Sequence, residues 1–148
     1  MKRHPALEPF SRDHNDGLIL ARALIEGRPG AAERFREEWD RELGDHFAEE
    51  ERLLIPLMTE PLAERLVHEH RTIARFGLTL PELSADLGRA LEAHIRWEER
   101  ELFPEIERHL TDSQAEWLTE ETTRLEEKRW PDNPRRELLV RRRYQSNH

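Results

Sequence analysis

One eleven-residue pattern occurs twice in this chain, and it constrains the fold more than any other feature. His46-Phe47-Ala48-Glu49-Glu50-Glu51-Arg52-Leu53-Leu54-Ile55-Pro56 aligns with His94-Ile95-Arg96-Trp97-Glu98-Glu99-Arg100-Glu101-Leu102-Phe103-Pro104, an offset of 48 residues. The shared frame is His-x-x-x-Glu-Glu-Arg-x-Leu-apolar-Pro. Each copy is preceded by a further histidine, His14 before the first and His70 before the second. A histidine and a glutamate four apart share one face of a helix. The duplication therefore predicts two helix pairs, each carrying a lone histidine and then a His/Glu pair.

The rest of the chain agrees with helices. Apolar residues recur at helical spacing, and Leu, Ala, Glu and Arg dominate, all good helix formers. Helices are expected from about Ser11 to Glu26, Ala31 to Met58, Pro61 to Phe76 and Glu82 to His109, with Ser11 as the first N-cap. Gly27-Arg28-Pro29-Gly30, Thr59-Glu60-Pro61 and Gly77-Leu78-Thr79-Leu80-Pro81 mark the connections. Thr111-Asp112-Ser113-Gln114 has capping-box spacing and opens a fifth helix to about Lys128. Trp130-Pro131-Asp132-Asn133-Pro134 then breaks the pattern. The expected fold is all-α: an up-down-up-down four-helix bundle with an additional C-terminal helix. Residues 1–128 form the bundle and fifth helix in this reading, and residues 129–148 a basic tail.

The lone and paired histidines fall on the apolar stripes. At about 100° per residue, Phe35, Trp39, Leu43, Leu53 and Leu57 lie near His46, and Leu83, Leu87, Ala90 and Leu91 near His94. Phe10, Leu18, Ala21 and Ile25 surround His14, and Ala63, Leu66, Val67, Ile73 and Ala74 flank His70. A single histidine on an apolar face is usually a hydrogen-bonded core residue. Four of them, one per helix and joined by Glu50 and Glu98, are not explained that way. Two inward carboxylates repel each other and resist burial. A bound dication supplies the missing charge, and two metals can be bridged by both carboxylates. The expected metal ligands are His14, His46, Glu50, His70, His94 and Glu98. Their nitrogen and oxygen donors suit iron or manganese in a two-metal site, with zinc an alternative. Ferritin-like bundles use Glu-x-x-His instead, so the order and spacing here point away from them.

These motifs resemble the hemerythrin-like family, whose cation-binding domains carry His-His-Glu motifs; the match covers about residues 10–110. The resemblance implies a four-helix bundle with a non-haem di-iron centre, oxo- or hydroxo-bridged. In it His14, His46, His70 and His94 are terminal ligands, and Glu50 and Glu98 are bridges. The chain departs from the oxygen-carrying members in two ways. Their third helix supplies two histidines four apart, whereas Leu66 and Ala74 stand on either side of His70 here. His68 lies about 160° around the helix and is not counted as a ligand. The carriers place an aspartate five residues after the last histidine; here Glu98 stands at four, with Glu99 at five as a substitute. One iron then lacks a protein ligand. Sensing, redox chemistry or iron handling is favoured over reversible oxygen carriage.

Composition narrows the setting. Charged residues are 38% of the chain and cysteines are absent, which excludes disulfides, thiolate metal sites and cysteine nucleophiles. No apolar run approaches the ~18 residues of a spanning helix, and the start shows no secretory signal, so a cytoplasmic location without membrane association is expected. The net charge of −8 is uneven: Lys128 to His148 carries +5, leaving −13 on the rest. Arg135, Arg136, Arg141, Arg142 and Arg143 supply most of the basic charge, with slight aromatic interleaving from Trp130 and Tyr144 and no nucleic-acid motif. A solvated or docked tail is expected, and nucleic-acid binding is not. Trp39 is expected in the core and Trp97 at the edge of the site. Pro56 and Pro104 are expected to kink or end their helices. Asp13 and Glu69 are expected to point away from the site, and His4, His109 and His148 to be exposed. The functional expectation is a di-iron protein that binds or senses O2, NO, peroxide or iron. Two alternatives stand beside it: a di-metal oxidase or peroxidase, and a metal-stabilised interaction module using the Arg-rich tail. A homodimer is left open.

Overall fold

The computed structural model describes residues 2–129. The expected tail from 130 to 148, with Trp130, the Arg-rich segment, Tyr144 and His148, lies outside the described residues. Those described are helical, with no strand among them. None of their helices is long and apolar enough to cross a membrane.

The order is α1 (Glu8–Arg12), α2 (His14–Ile25), α3 (Ala31–Glu38), α4 (Gly44–Leu54), α5 (Glu60–Gly77), α6 (Ser84–Trp97), α7 (Phe103–His109) and α8 (Asp112–Arg129). A widened π turn, Trp39–Leu43, joins α3 to α4, and a second, Glu98–Leu102, joins α6 to α7. The two long central helices are thus continuous rods with one irregular turn each, where spacing alone predicts regular helix. The described residues divide into two compact units: residues 10–110, and residues 2–9 with 111–129.

Several local expectations are corrected. Helical structure begins at Glu8, before Ser11, so Ser11 is an interior residue of α1 and not a cap. His4 is half-buried, not exposed; its carbonyl accepts the amides of Leu7 and Glu8 and its Nδ1 accepts the Ala6 amide at 3.0 Å. Pro56 sits in the Ile55–Leu57 turn that closes the helix, as expected. Pro104 neither ends nor breaks its rod, which runs on to His109. The reason is the π turn before it. There the Phe103 amide donates to the Glu98 carbonyl five residues back, which re-phases the hydrogen-bond ladder. Pro104 then falls in the first turn of α7, where a missing donor is tolerated. The capping box at α8 forms as read: Gln114 N donates to Thr111 Oγ1 at 3.1 Å, and Thr111 N donates to Gln114 Oε1 at 3.0 Å.

Within residues 10–110, α2 packs on α6, α6 on α5, α5 on α4, and α3 on α2. Leu20, Leu24, Phe35, Ile73, Leu87 and Leu91 are among the buried residues that fill the space between them. The α2–α6 approach is backbone to side: a Cβ at Gly88 would stand 2.6 Å from the Ala21 carbonyl oxygen. In the turn between α2 and α3, Gly27 (φ 64°) and Gly30 (φ 82°) hold the left-handed conformation that side chains disfavour.

Candidate metal centre

Five elements deliver the candidate side chains to one place. His14 opens α2, His46 and Glu50 lie one turn apart on α4, His70 is on α5, His94 is near the end of α6, and Glu98 opens the π turn. All six are buried, Glu50 to 0% and Glu98 to 1% exposure. Each histidine turns Nε2 inward. Glu50 Oε1 stands 3.3 Å from His46 Nε2 and 3.4 Å from His70 Nε2. Glu98 Oε1 stands 3.4 Å from His14 Nε2 and 3.0 Å from His94 Nε2. One ligand atom from each of Glu50, His70 and His94 also falls within a 4.8 Å cluster, so Glu50 spans the two groups.

The outer nitrogens explain the doubled glutamates of the repeat. His14 Nδ1 is 2.7 Å from Glu99, His70 Nδ1 2.9 Å from Glu51, and His94 Nδ1 2.8 Å from Glu69. Asp13 lies 3.7 Å from His46 Nδ1. The first glutamate of each Glu-Glu doublet faces the centre, and the second braces a histidine on another helix. Glu99, which stands where the oxygen carriers place their aspartate, is thus an outer partner of His14. Asp13 and Glu69 are corrected too: both face histidines, although of the next helix and not their own. Exchanging the two halves of the chain maps His46 onto His94, His14 onto His70 and Glu50 onto Glu98, with the pairings preserved except that Asp13, in the place of Glu69, stands farther from its histidine.

This arrangement sets the chemistry. An ionised carboxylate only accepts hydrogen bonds, so a neutral imidazole braced by one carries its proton on Nδ1 and presents a lone pair at Nε2. The centre is then lined by acceptors facing acceptors. Among the described residues, Nε2 of His14, His70 and His94, both oxygens of Glu50 and Oε2 of Glu98 are buried and make no hydrogen bond. Left unsatisfied, such groups cost about 1–3 kcal/mol each. Six of them together rival the ~5–15 kcal/mol that stabilises a whole domain.

Protonation does not relieve this cheaply. Burial drives the His94 imidazole below its ordinary pKa, overcoming the support of Glu69 and Glu50. Burial raises the Glu50 pKa, but the neighbouring His46 and His70 side chains outweigh that and hold it well below the usual carboxylate range. Glu69 behaves the same way, with burial opposed by His94 and by Arg65, whose Nε lies 2.7 Å away. Neutral imidazole and ionised carboxylate are the forms that bind a metal. The residues present fit a cation.

Aromatic rings wall the centre. Phe47 stacks on His70 at 4.0 Å and meets His94 edge-on at 5.4 Å, Phe103 stacks on His14 at 5.7 Å, and Phe10 meets His46 edge-on at 5.8 Å. Trp39 packs edge-on against Phe47, as a core residue. Trp97 is buried beside His94 with Arg65 over its ring at 4.5 Å. His68 is exposed and takes no place in the centre, and His109 is exposed and pairs with Glu105. Comparison with family models, with curated proteins and with solved structures finds no match to this chain.

Proposed function

We propose that this chain is a hemerythrin-like, non-haem dinuclear metal protein that binds or senses a small ligand such as O2, NO or peroxide, or iron itself. The observation that carries this reading is the buried centre where His14, His46, His70 and His94 surround Glu50 and Glu98, and where three of the imidazole nitrogens and three of the carboxylate oxygens make no hydrogen bond. Two iron ions are the cofactors that best suit the donor set, with manganese or zinc as substitutes. His14, His46, Glu50, His70, His94 and Glu98 would hold the ions.

The proposed bundle is the up-down-up-down four-helix type. Its support is the cycle of packed pairs that runs α2, α6, α5, α4 and, through α3, back to α2. Iron, when bound, supplies redox and ligand-binding chemistry. The chain fixes the imidazoles by their outer carboxylates and shields the centre from bulk water behind Phe10, Phe47 and Phe103. That aromatic packing favours ligands of a few atoms over organic substrates.

The test is anaerobic reconstitution with ferrous iron, followed by metal analysis and admission of air. About two irons per chain and a near-ultraviolet charge-transfer band are expected. Uptake well under one metal per chain, with no band, overturns the reading.

A further inference from the structure

Four side chains from α5 and α6 close a circuit of contacts behind His94. Arg65 and Glu69 lie one turn apart on α5, His94 and Trp97 one turn apart on α6. Arg65 Nε stands 2.7 Å from Glu69 Oε2, and the other oxygen of that carboxylate, Oε1, stands 2.8 Å from His94 Nδ1. The His94 and Trp97 rings are neighbours, tilted by 40° with centroids 6.0 Å apart. The guanidinium carbon of Arg65 sits over the Trp97 ring at 4.5 Å, which closes the circuit. Its Nη1 also reaches to within 3.6 Å of Glu101, in the π turn that follows α6. Exposure falls along the chain of ion pairs, from 50% at the Arg65 side chain to 22% at Glu69 and 1% at His94.

We infer that Arg65 is a positioning residue for the metal centre: seated on Trp97, it holds Glu69 in the rotamer that keeps the His94 imidazole aimed inward. The inference rests on the dinuclear reading above. A glutamate near a helix surface has several rotamers within reach, and an exposed ion pair between residues four apart does little to choose among them. What sets this pair apart is its tertiary anchor. The guanidinium is planar, so it offers an edge to the carboxylate and a face to the indole at once. Trp97 is itself buried, at 4% exposure, and gives that face a fixed seat. Glu69 is thereby held at both oxygens. An imidazole whose outer N–H is held by such a carboxylate is oriented and made a stronger donor. Charge alone predicts the opposite sign: a guanidinium near a cation site repels the cation, and its removal would tighten binding. Positioning predicts that losing Arg65 weakens metal binding, and that the loss passes through Glu69.

Cobalt(II) is the probe, bound to the full chain and measured by competition with a chelator of known affinity, with its visible d–d absorption recorded. Arg65→Met keeps the length and the packing on the indole and removes the charged fork. It is expected to weaken cobalt binding about tenfold and to shift the d–d spectrum. Glu69→Gln alone is expected to weaken binding by at least as much, and adding Arg65→Met to it to change the affinity by less than about twofold. Arg65→Lys keeps the charge but not the planar fork, and is expected to lose about threefold, again only where Glu69 is present. Circular dichroism of each metal-free variant checks the fold, and where Arg65→Met fails that check Arg65→Lys carries the cycle. Binding that is unchanged or tighter without Arg65, or that falls equally with and without Glu69, overturns this inference and leaves the dinuclear reading standing. Wild type that binds fewer than two cobalt ions overturns both.

Discussion

At the scale of single residues, Glu50 is the most consequential side chain in the molecule. It is fully buried, lies within 3.4 Å of two imidazoles, and belongs to the tight cluster with His70 and His94. Glu50→Gln keeps the volume and removes the charge. It is expected to reduce metal content from about two ions per chain to about one or fewer, measured by elemental analysis after loading and desalting. His68→Ala, two residues from His70 but on the exposed face, is expected to leave metal content unchanged. Equal loss from both variants would mean that the effect is on folding and not on ligation. The six central residues were legible in the sequence because a spacing of four on an apolar stripe fixes direction. Their outer carboxylates were not. Asp13 and Glu69 adjoin His14 and His70 and so point about 100° away from them; what lies in that direction is a histidine of the next helix, which no spacing within one helix can reveal. The same holds for Glu51 and Glu99, whose partners are 19 and 85 residues distant in sequence.

At the scale of elements, the register of α2 against α6 decides whether His14 meets Glu98. Gly88 makes that register tight, because its α-carbon faces the backbone of α2 and an added methyl would stand 2.6 Å from the Ala21 oxygen and 2.9 Å from the Ile25 nitrogen. Backbone atoms cannot swing aside as a side-chain tip can. Gly88→Ala is therefore expected to destabilise the chain by about 1–3 kcal/mol, even though alanine is the better helix former. Thermal unfolding of the metal-free protein checks this, and an unchanged or raised Tm would show that the helices part without penalty. The helix ends were readable to within a few residues, because Gly, Pro and capping residues mark them. The π turns at Trp39–Leu43 and Glu98–Leu102 were not. An extra residue in one turn leaves composition and average periodicity almost unchanged, and Pro104 alone suggested a break that the second π turn in fact absorbs.

At the scale of the whole molecule, a chain with only 36% hydrophobic residues spends part of its interior on six buried histidine and glutamate side chains. Apolar burial is correspondingly lean where the centre sits, and under the proposed function metal binding to the folded form would add stability there. Free metal at about 1,000 times its dissociation constant stabilises the folded state by about 4 kcal/mol per site. In a chain of this size each kcal/mol moves the midpoint by roughly 2–4 °C. Loading both sites is therefore expected to raise Tm by roughly 15–30 °C, and chelation to lower it again by the same amount, with a midpoint that depends on free metal concentration. Differential scanning fluorimetry across a metal titration and with excess EDTA measures both. His70→Ala, which removes an inward nitrogen, is expected to abolish most of the shift while the metal-free Tm changes far less. If wild type and His70→Ala respond alike, the metal is acting on surface carboxylates, of which this acidic chain has many, and not through the buried centre.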